Sequence, residues 1–155
     1  DYEKYEFILP GYNVRPNEIY ASVGISQLKK LDQFIKIRRK NFLLYKNIFK
    51  NNKIFKIETE NGKTSAFSLI FIFRKKYFNL KNKIYADLRK NNIQFRLITG
   101  GCFLKHPAKK FFNYSIYNNI NNANYIHENG FFLGNAPVNL EDQLIHFNKT
   151  IIKYY

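Results

Sequence analysis

Apolar residues in this chain change period several times, and each change marks an element boundary. Pro10-Gly11 signals a turn, so Asp1 to Arg15 reads as a loop or short strand, with Pro16 suited to the first position of a helix. From there to about Asn51, Ile19, Val23, Leu28, Leu31, Phe34, Ile35, Phe42, Tyr45 and Phe49 recur at helical spacing. Asp32 could cap a second segment, which would make the stretch two helices joined near Leu31. Asn51-Asn52-Lys53 ends it. Ile54 to Ile57 reads as a short strand, Asn61-Gly62 as a turn, and Ser65 to Phe73 as a buried strand rich in aromatic and β-branched residues. A helix follows from about Leu80 to Lys90, capped by Asn79, with Ile84 and Leu88 on its inner face.

Ile93 to Ile98 is the next expected strand, broken by Thr99-Gly100-Gly101, and Pro107 opens a helical turn through Phe112. Asn118 to Asn122 reads as a surface loop, Ala123 to Glu128 as a helical turn, Phe131 to Leu133 as a short strand and Gly134 to Pro137 as a loop. Asn139 is the expected cap of a last helix through Ile151, with Asp142 at the capping-box position. The predicted fold is α/β in composition (α+β in arrangement): a long helix and a small, largely antiparallel sheet with helices on one face.

A length of 155 residues fits one such unit, and its longest apolar run, Ala66 to Phe73, is strand-sized rather than membrane-sized. The chain contains no methionine and opens Asp1-Tyr2-Glu3, which reads as part of a longer protein, and no signal-peptide pattern opens it. One cysteine, Cys102, builds neither a disulfide nor a zinc site by itself, so a reduced, cytoplasmic setting is expected. The formal charge of +15 raises nucleic acid or another polyanion as a partner. The lysines, however, are spread along the chain among abundant Asn, Ile, Phe and Tyr, as codon bias in an AT-rich genome would leave them. Neither nucleic acid nor membrane is therefore the expected partner, and Arg38-Arg39-Lys40 and Arg74-Lys75-Lys76 read as solvated runs. A non-catalytic basic module for a polyanion is the alternative reading.

No phosphate loop, nucleophile elbow, dinucleotide fingerprint or metal-binding helix motif occurs. His127 and His146 fall on predicted helices, where packing or surface roles are the default; His106, after a glycine turn and before Pro107, is the candidate for substrate contact. Cys102 has no assignable base, and Phe103 reads as core. The chain holds no complete catalytic constellation. Its chemistry, if it has any, is shared with other residues.

The segment Gly11-Tyr12-Asn13-Val14-Arg15-Pro16-Asn17-Glu18, continued by Ala21, Gly24 and Gln27-Leu28, resembles a signature of the DegT/DnrJ/EryC1/StrS family of sugar aminotransferases. Ser65-Ala66-Phe67-Ser68 and Asn92-Ile93-Gln94-Phe95-Arg96 extend the likeness. The stretches Arg96 to Pro107 and Asn122 to Asn135 resemble the branch of nucleotide-sugar 3-dehydratases, except that Gly101-Cys102 stands where that branch has Gly-Asn. The resemblance implies the aspartate-aminotransferase fold, a pyridoxal 5'-phosphate cofactor (or its pyridoxamine form) and a nucleotide-linked 4-keto-6-deoxy sugar as substrate. It also implies a homodimer with active sites at the subunit boundary and a role in cell-surface polysaccharide synthesis. The family's reactive lysine, a histidine in some dehydratases, precedes Gly-Tyr-Asn, so aminotransferase and 3-dehydratase both stand open. On this reading residues 1–31 end the large cofactor domain with a cross-dimer loop and linking helix, and residues 32–155 form the small domain. Asn13 would donate its amide to the partner's cofactor phosphate, and Tyr12 would lie at the same site. Arg15 would bind the substrate diphosphate or cofactor, or pair with Glu18. Arg96 and His106 flank the Gly100-Gly101 turn and would approach the sugar nucleotide.

Overall fold

The computed structural model describes residues 3–12 and 17–155. Two helices open the main body: α1 (Glu18–Leu28), whose first turn is capped by the Asn17 side chain accepting from the Tyr20 N–H, and α2 (Leu31–Phe49). The break falls where the periodicity puts it, near Leu31. Asp32 makes no side-chain cap; it sits in the first turn of α2, where a carboxylate favours the exposed N–H groups. Pro16 lies outside the described residues.

The sheet has four strands, β1 (Phe55–Ile57), β2 (Ser68–Phe73), β3 (Arg96–Leu97) and β4 (Gly130–Gly134), in the order β1-β2-β4-β3 with every pair antiparallel. Helices α3 (Lys81–Lys90), α4 (Asn121–Asn129) and α5 (Glu141–Ile152) complete it. Along β2 the alternation is strict: Leu69, Phe71 and Phe73 are fully buried, while Ser68, Ile70 and Ile72 are half-buried on the other face. The buried face meets Phe42, Tyr45 and Phe49 of α2, Ile84 and Leu88 of α3, and Leu144, Phe147 and Ile151 of α5. Phe71 is the hub of this core, with the rings of Tyr45, Phe49, Phe55, Phe131 and Phe147 all at aromatic contact distance.

Several boundaries differ from the pattern reading, for local hydrogen-bonding reasons. The strand expected from Ser65 begins at Ser68, because Ala66 adopts φ 20° and its N–H is taken by Thr64 Oγ1. The strand expected over Ile93–Ile98 shrinks to Arg96–Leu97. Asn92 turns left-handed (φ 57°) and the Ile93 N–H returns to Leu88 O, closing the end of α3. That helix is entered through a 3-10 segment, Lys75–Leu80, so Asn79 is not its cap. At α5 the Asn139 carbonyl oxygen of the side chain does accept from Glu141 N–H, but no side-chain capping box with Asp142 forms. The Asn-rich stretch is helical from Asn121. Among the described residues no helix is long and apolar enough to cross a membrane.

Candidate functional site

Covering one face of the sheet with helices leaves the residues of alternate parity on the other. Arg96 is paired in register with Phe132, and Leu97 with Phe131, so Leu97 joins the core while Arg96 emerges on the second face. Its neighbour Phe95 turns inward, stacked on Tyr85 with ring centroids 4.7 Å apart and covered by the Arg89 guanidinium at 5.1 Å. A cleft of about 820 Å³ opens beside Arg96. Phe132, Phe67 and Tyr5 give it aromatic surface; Lys4, Arg38, Arg89 and Arg96 give it positive charge. No Asp or Glu is among its lining residues within the described part of the chain.

The part of the cleft wall at Asn135 is held by two buried asparagines. Asn41 on α2 donates to Asn135 Oδ1, Ala136 O and Val138 O at 3.1, 3.2 and 2.7 Å, and accepts from Leu140 N. Asn135 in turn donates to Arg38 O at 3.1 Å and Ala66 O at 2.8 Å. These bonds tie the strand exit at Gly134 to the strange turn at Ala66 and to the helix that carries Arg38.

The third edge is the segment before the family-like motif. Phe7 donates its N–H to His106 Nδ1 at 3.2 Å, accepts from Ala108 N at 2.8 Å, and packs its ring 4.7 Å from the imidazole. Because Nδ1 accepts, the His106 proton sits on Nε2, which donates to Gly100 O. His106 is buried, with both ring nitrogens engaged by backbone, so its role in this structure is to join the residues 3–9 segment to the glycine turn. His127 does the same for Cys102, accepting its N–H at Nδ1 (3.2 Å). Burial, and then the neighbouring His106 and Lys105, hold His127 below the ordinary imidazole range. Gly100 and Gly101 both adopt positive φ, and a Cβ on Gly101 would lie 2.3 Å from His127 Nδ1, so the turn requires glycine there.

Of the residues singled out in the sequence, Arg96 lines the main cleft, and His106 lies beneath a smaller one of about 230 Å³ with Leu97, Lys105 and His127. Tyr12 is almost fully exposed, and Asn13 and Arg15 lie outside the described residues. Two readings need correction. Phe103 is 44% exposed and touches Phe112 rather than entering the core. Arg38 is not a solvated charge but lines the cleft, half-buried. A signal for it was present: Arg38, Phe42, Tyr45 and Phe49 follow at spacings of four, three and four, so Arg38 continues the buried stripe of α2. No group of three or more His, Cys, Asp or Glu placed to hold a metal occurs among the described residues.

This α/β arrangement, a small antiparallel sheet packed with helices, is shared with solved enzymes of the pyridoxal-phosphate-dependent aminotransferase fold. The chain superposes on E coli GDP-4-keto-6-deoxy-D-mannose-3-dehydratase with bound hydrated PLP, with a TM-score of 0.83 and 38% identity over 96% of this chain and 38% of that one. It matches a variant of GDP-4-keto-6-deoxymannose-3-dehydratase with bound GDP-perosamine equally well, with a TM-score of 0.83 and 37% identity over 96% of this chain and 39% of that one. Residues 1–146 match the DegT/DnrJ/EryC1/StrS aminotransferase family, and the chain belongs to it. The GDP-4-keto-6-deoxy-D-mannose 3-dehydratase of Escherichia coli O55:H7 is 37% identical over 150 residues, covering 96% of this chain and 39% of that enzyme. The chain thus spans about two-fifths of the length of the curated dehydratase it matches.

Proposed function

We propose that this chain is the cleft-bearing part of a pyridoxal-phosphate-dependent enzyme that removes the C3 hydroxyl of a nucleotide-linked 4-keto-6-deoxy sugar. The observation that carries the reading is the acid-free, aromatic-lined basic cleft at Arg96, in a chain 37% identical to a 3-dehydratase over 150 residues. Guanidinium and ammonium groups beside phenyl faces suit a ligand with phosphate oxygens and a flat base or sugar face. Such a lining also fits a phosphorylated cofactor nearby. When bound, pyridoxal phosphate supplies an electron sink at the sugar carbon next to the reacting bond.

The residues of this chain then bind and orient. Arg96 hydrogen-bonds oxygens of the sugar nucleotide from the strand side, and Arg15 reaches its diphosphate. Asn13 donates to the cofactor phosphate of the partner subunit in a homodimer, with Tyr12 beside it. His106 acts as a positioning residue, holding the glycine turn and the Tyr5 edge of the cleft together. The division into residues 1–31, belonging with the cofactor domain, and 32–155, the small domain, accords with α1, which buries none of its side chains in this chain. A cytoplasmic role in supplying sugars for cell-surface polysaccharide goes with this function.

The test is product analysis. The complete enzyme, given pyridoxal phosphate, L-glutamate and GDP-4-keto-6-deoxymannose, should yield a 3-deoxy sugar nucleotide by mass spectrometry, and Arg96→Ala should lower kcat/KM about tenfold or more. A 4-amino product would identify an aminotransferase instead, and no turnover of any nucleotide sugar would refute the reading.

A further inference from the structure

Arg38 and Arg39 are consecutive, yet their surroundings differ. Arg39 Nη1 lies 3.1 Å from Glu60 Oε1 and also donates to Thr64 O, so its charge is answered within the chain. Arg38 continues the buried stripe of α2 and lines the main cleft, where no described lining residue is acidic. Its Nε is buried and has no hydrogen-bond partner among the described residues. A desolvated guanidinium donor without an acceptor is unfavourable, and more so than a neutral one. Its backbone is fixed as well: Asn135, itself held by Asn41, donates to Arg38 O and to Ala66 O, clamping this position to the cleft wall. A half-buried guanidinium that lines a cleft with no acidic side chain among its described lining residues, and whose buried Nε has no acceptor, is suited to turn its fork toward the oxygens of an anionic group.

We propose that Arg38 forms an oxyanion subsite on the helix-side wall of the cleft, facing Arg96 on the strand side, and binds a phosphate or carboxylate group of a ligand. The proposal rests on the functional reading above, which offers two sources for that group. One is the diphosphate of the sugar nucleotide; the other is the carboxylate of an amino-acid donor.

The experiment uses the complete enzyme with Arg38→Gln, Arg38→Lys and, as control, Arg39→Gln. Arg38→Gln should raise one KM about tenfold or more with kcat changed less, and Arg38→Lys should recover part of the loss. A rise in KM for GDP-4-keto-6-deoxymannose assigns the diphosphate; a rise in KM for L-glutamate assigns the carboxylate. Unchanged KM values for both, with a lowered Tm, would mean that Arg38 is answered by a carboxylate of the protein and would overturn the subsite. A second readout needs no turnover. The Arg38 Nε–H resonance should shift on titration with inorganic pyrophosphate or with L-glutamate, and should not shift with sodium chloride at matched ionic strength. If the enzyme turns over no nucleotide sugar, the functional reading fails, but a saturable shift of this resonance still supports the subsite. Absence of a shift with both probes overturns it.

Discussion

Gly101→Ala tests the architecture of the glycine turn that His106 and His127 hold. The backbone there has φ 49°, where an L-residue with a Cβ is disfavoured by about 1–2 kcal/mol. The added Cβ would also stand 2.3 Å from His127 Nδ1, 3.0 Å from Cγ and 3.1 Å from Cβ of the same side chain. His127 cannot stay, and moving it breaks the bond it accepts from the buried Cys102, a further loss of about 0.5–1.5 kcal/mol. The expected total is about 1.5–3.5 kcal/mol. Gly100→Ala separates the two contributions. Its φ is 69°, but its Cβ would meet only Phe7 at 3.4 Å, an ordinary contact, so about 1–2 kcal/mol is expected. Gly62→Ala, with nothing within 4 Å and no positive φ, should change stability by less than about 0.5 kcal/mol. The chain has twelve tyrosines and no tryptophan, so urea unfolding followed by tyrosine emission reports all three variants. Gly101→Ala indistinguishable from Gly62→Ala, or no costlier than Gly100→Ala, would refute the reasoning.

Three further outcomes follow from other parts of the fold. Asn135→Ala strands donors and acceptors that Asn41 and Ala66 present to a buried site, and should cost about 2–4 kcal/mol in urea unfolding. Phe71→Ala removes the ring at the centre of five aromatic contacts and should cost about 3–5 kcal/mol by the same assay. His127 contributes pH dependence of definite sign. Its folded pKa lies below the unfolded value of about 6.5, so the unfolded state takes up the proton more readily. Its stabilisation is complete above about pH 6.5 and is lost as the pH falls below that toward the folded pKa. His127→Asn, which offers Cys102 an acceptor that does not titrate, should flatten this part of a Tm profile between about pH 5 and 7.5; an unchanged slope would contradict the assignment.

Much of the fold can be read from periodicity, because the buried stripes of α2, α3 and α5 and the alternation of β2 are unbroken. The boundaries that escaped it are those set by single backbone choices. Asn92 turning left-handed shortens β3, and the Ala66 turn delays β2; neither has an apolar period to announce it. The site divides in the same way. Arg96 is legible from the family-like motif and from strand parity, and it lies in the cleft. The Asn41–Asn135 clamp joins residues ninety-four positions apart, a contact no local pattern carries. His106 was visible as unusual, but its sequence neighbourhood could not show that Phe7 and Gly100 occupy both ring nitrogens. Arg38 shows how a charge run can mislead: composition groups it with Arg39, whereas helical phase groups it with Phe42.

The Arg96 cleft is the proposed meeting place of a sugar nucleotide and this chain. The surface offers a second basic hollow of about 520 Å³, lined by Lys50, Lys53, Arg74 and Lys76, where a module binding polyanions by charge alone would also be contacted. Hydrogen exchange of the complete enzyme with and without GDP-perosamine discriminates between them. The account predicts protection of the backbone amides at residues 92–97 and 132–136, retained in 0.3 M salt, with no change at residues 50–53 and 74–77. Protection centred on residues 50–53 and 74–77, or protection at both places that vanishes with salt, would contradict it.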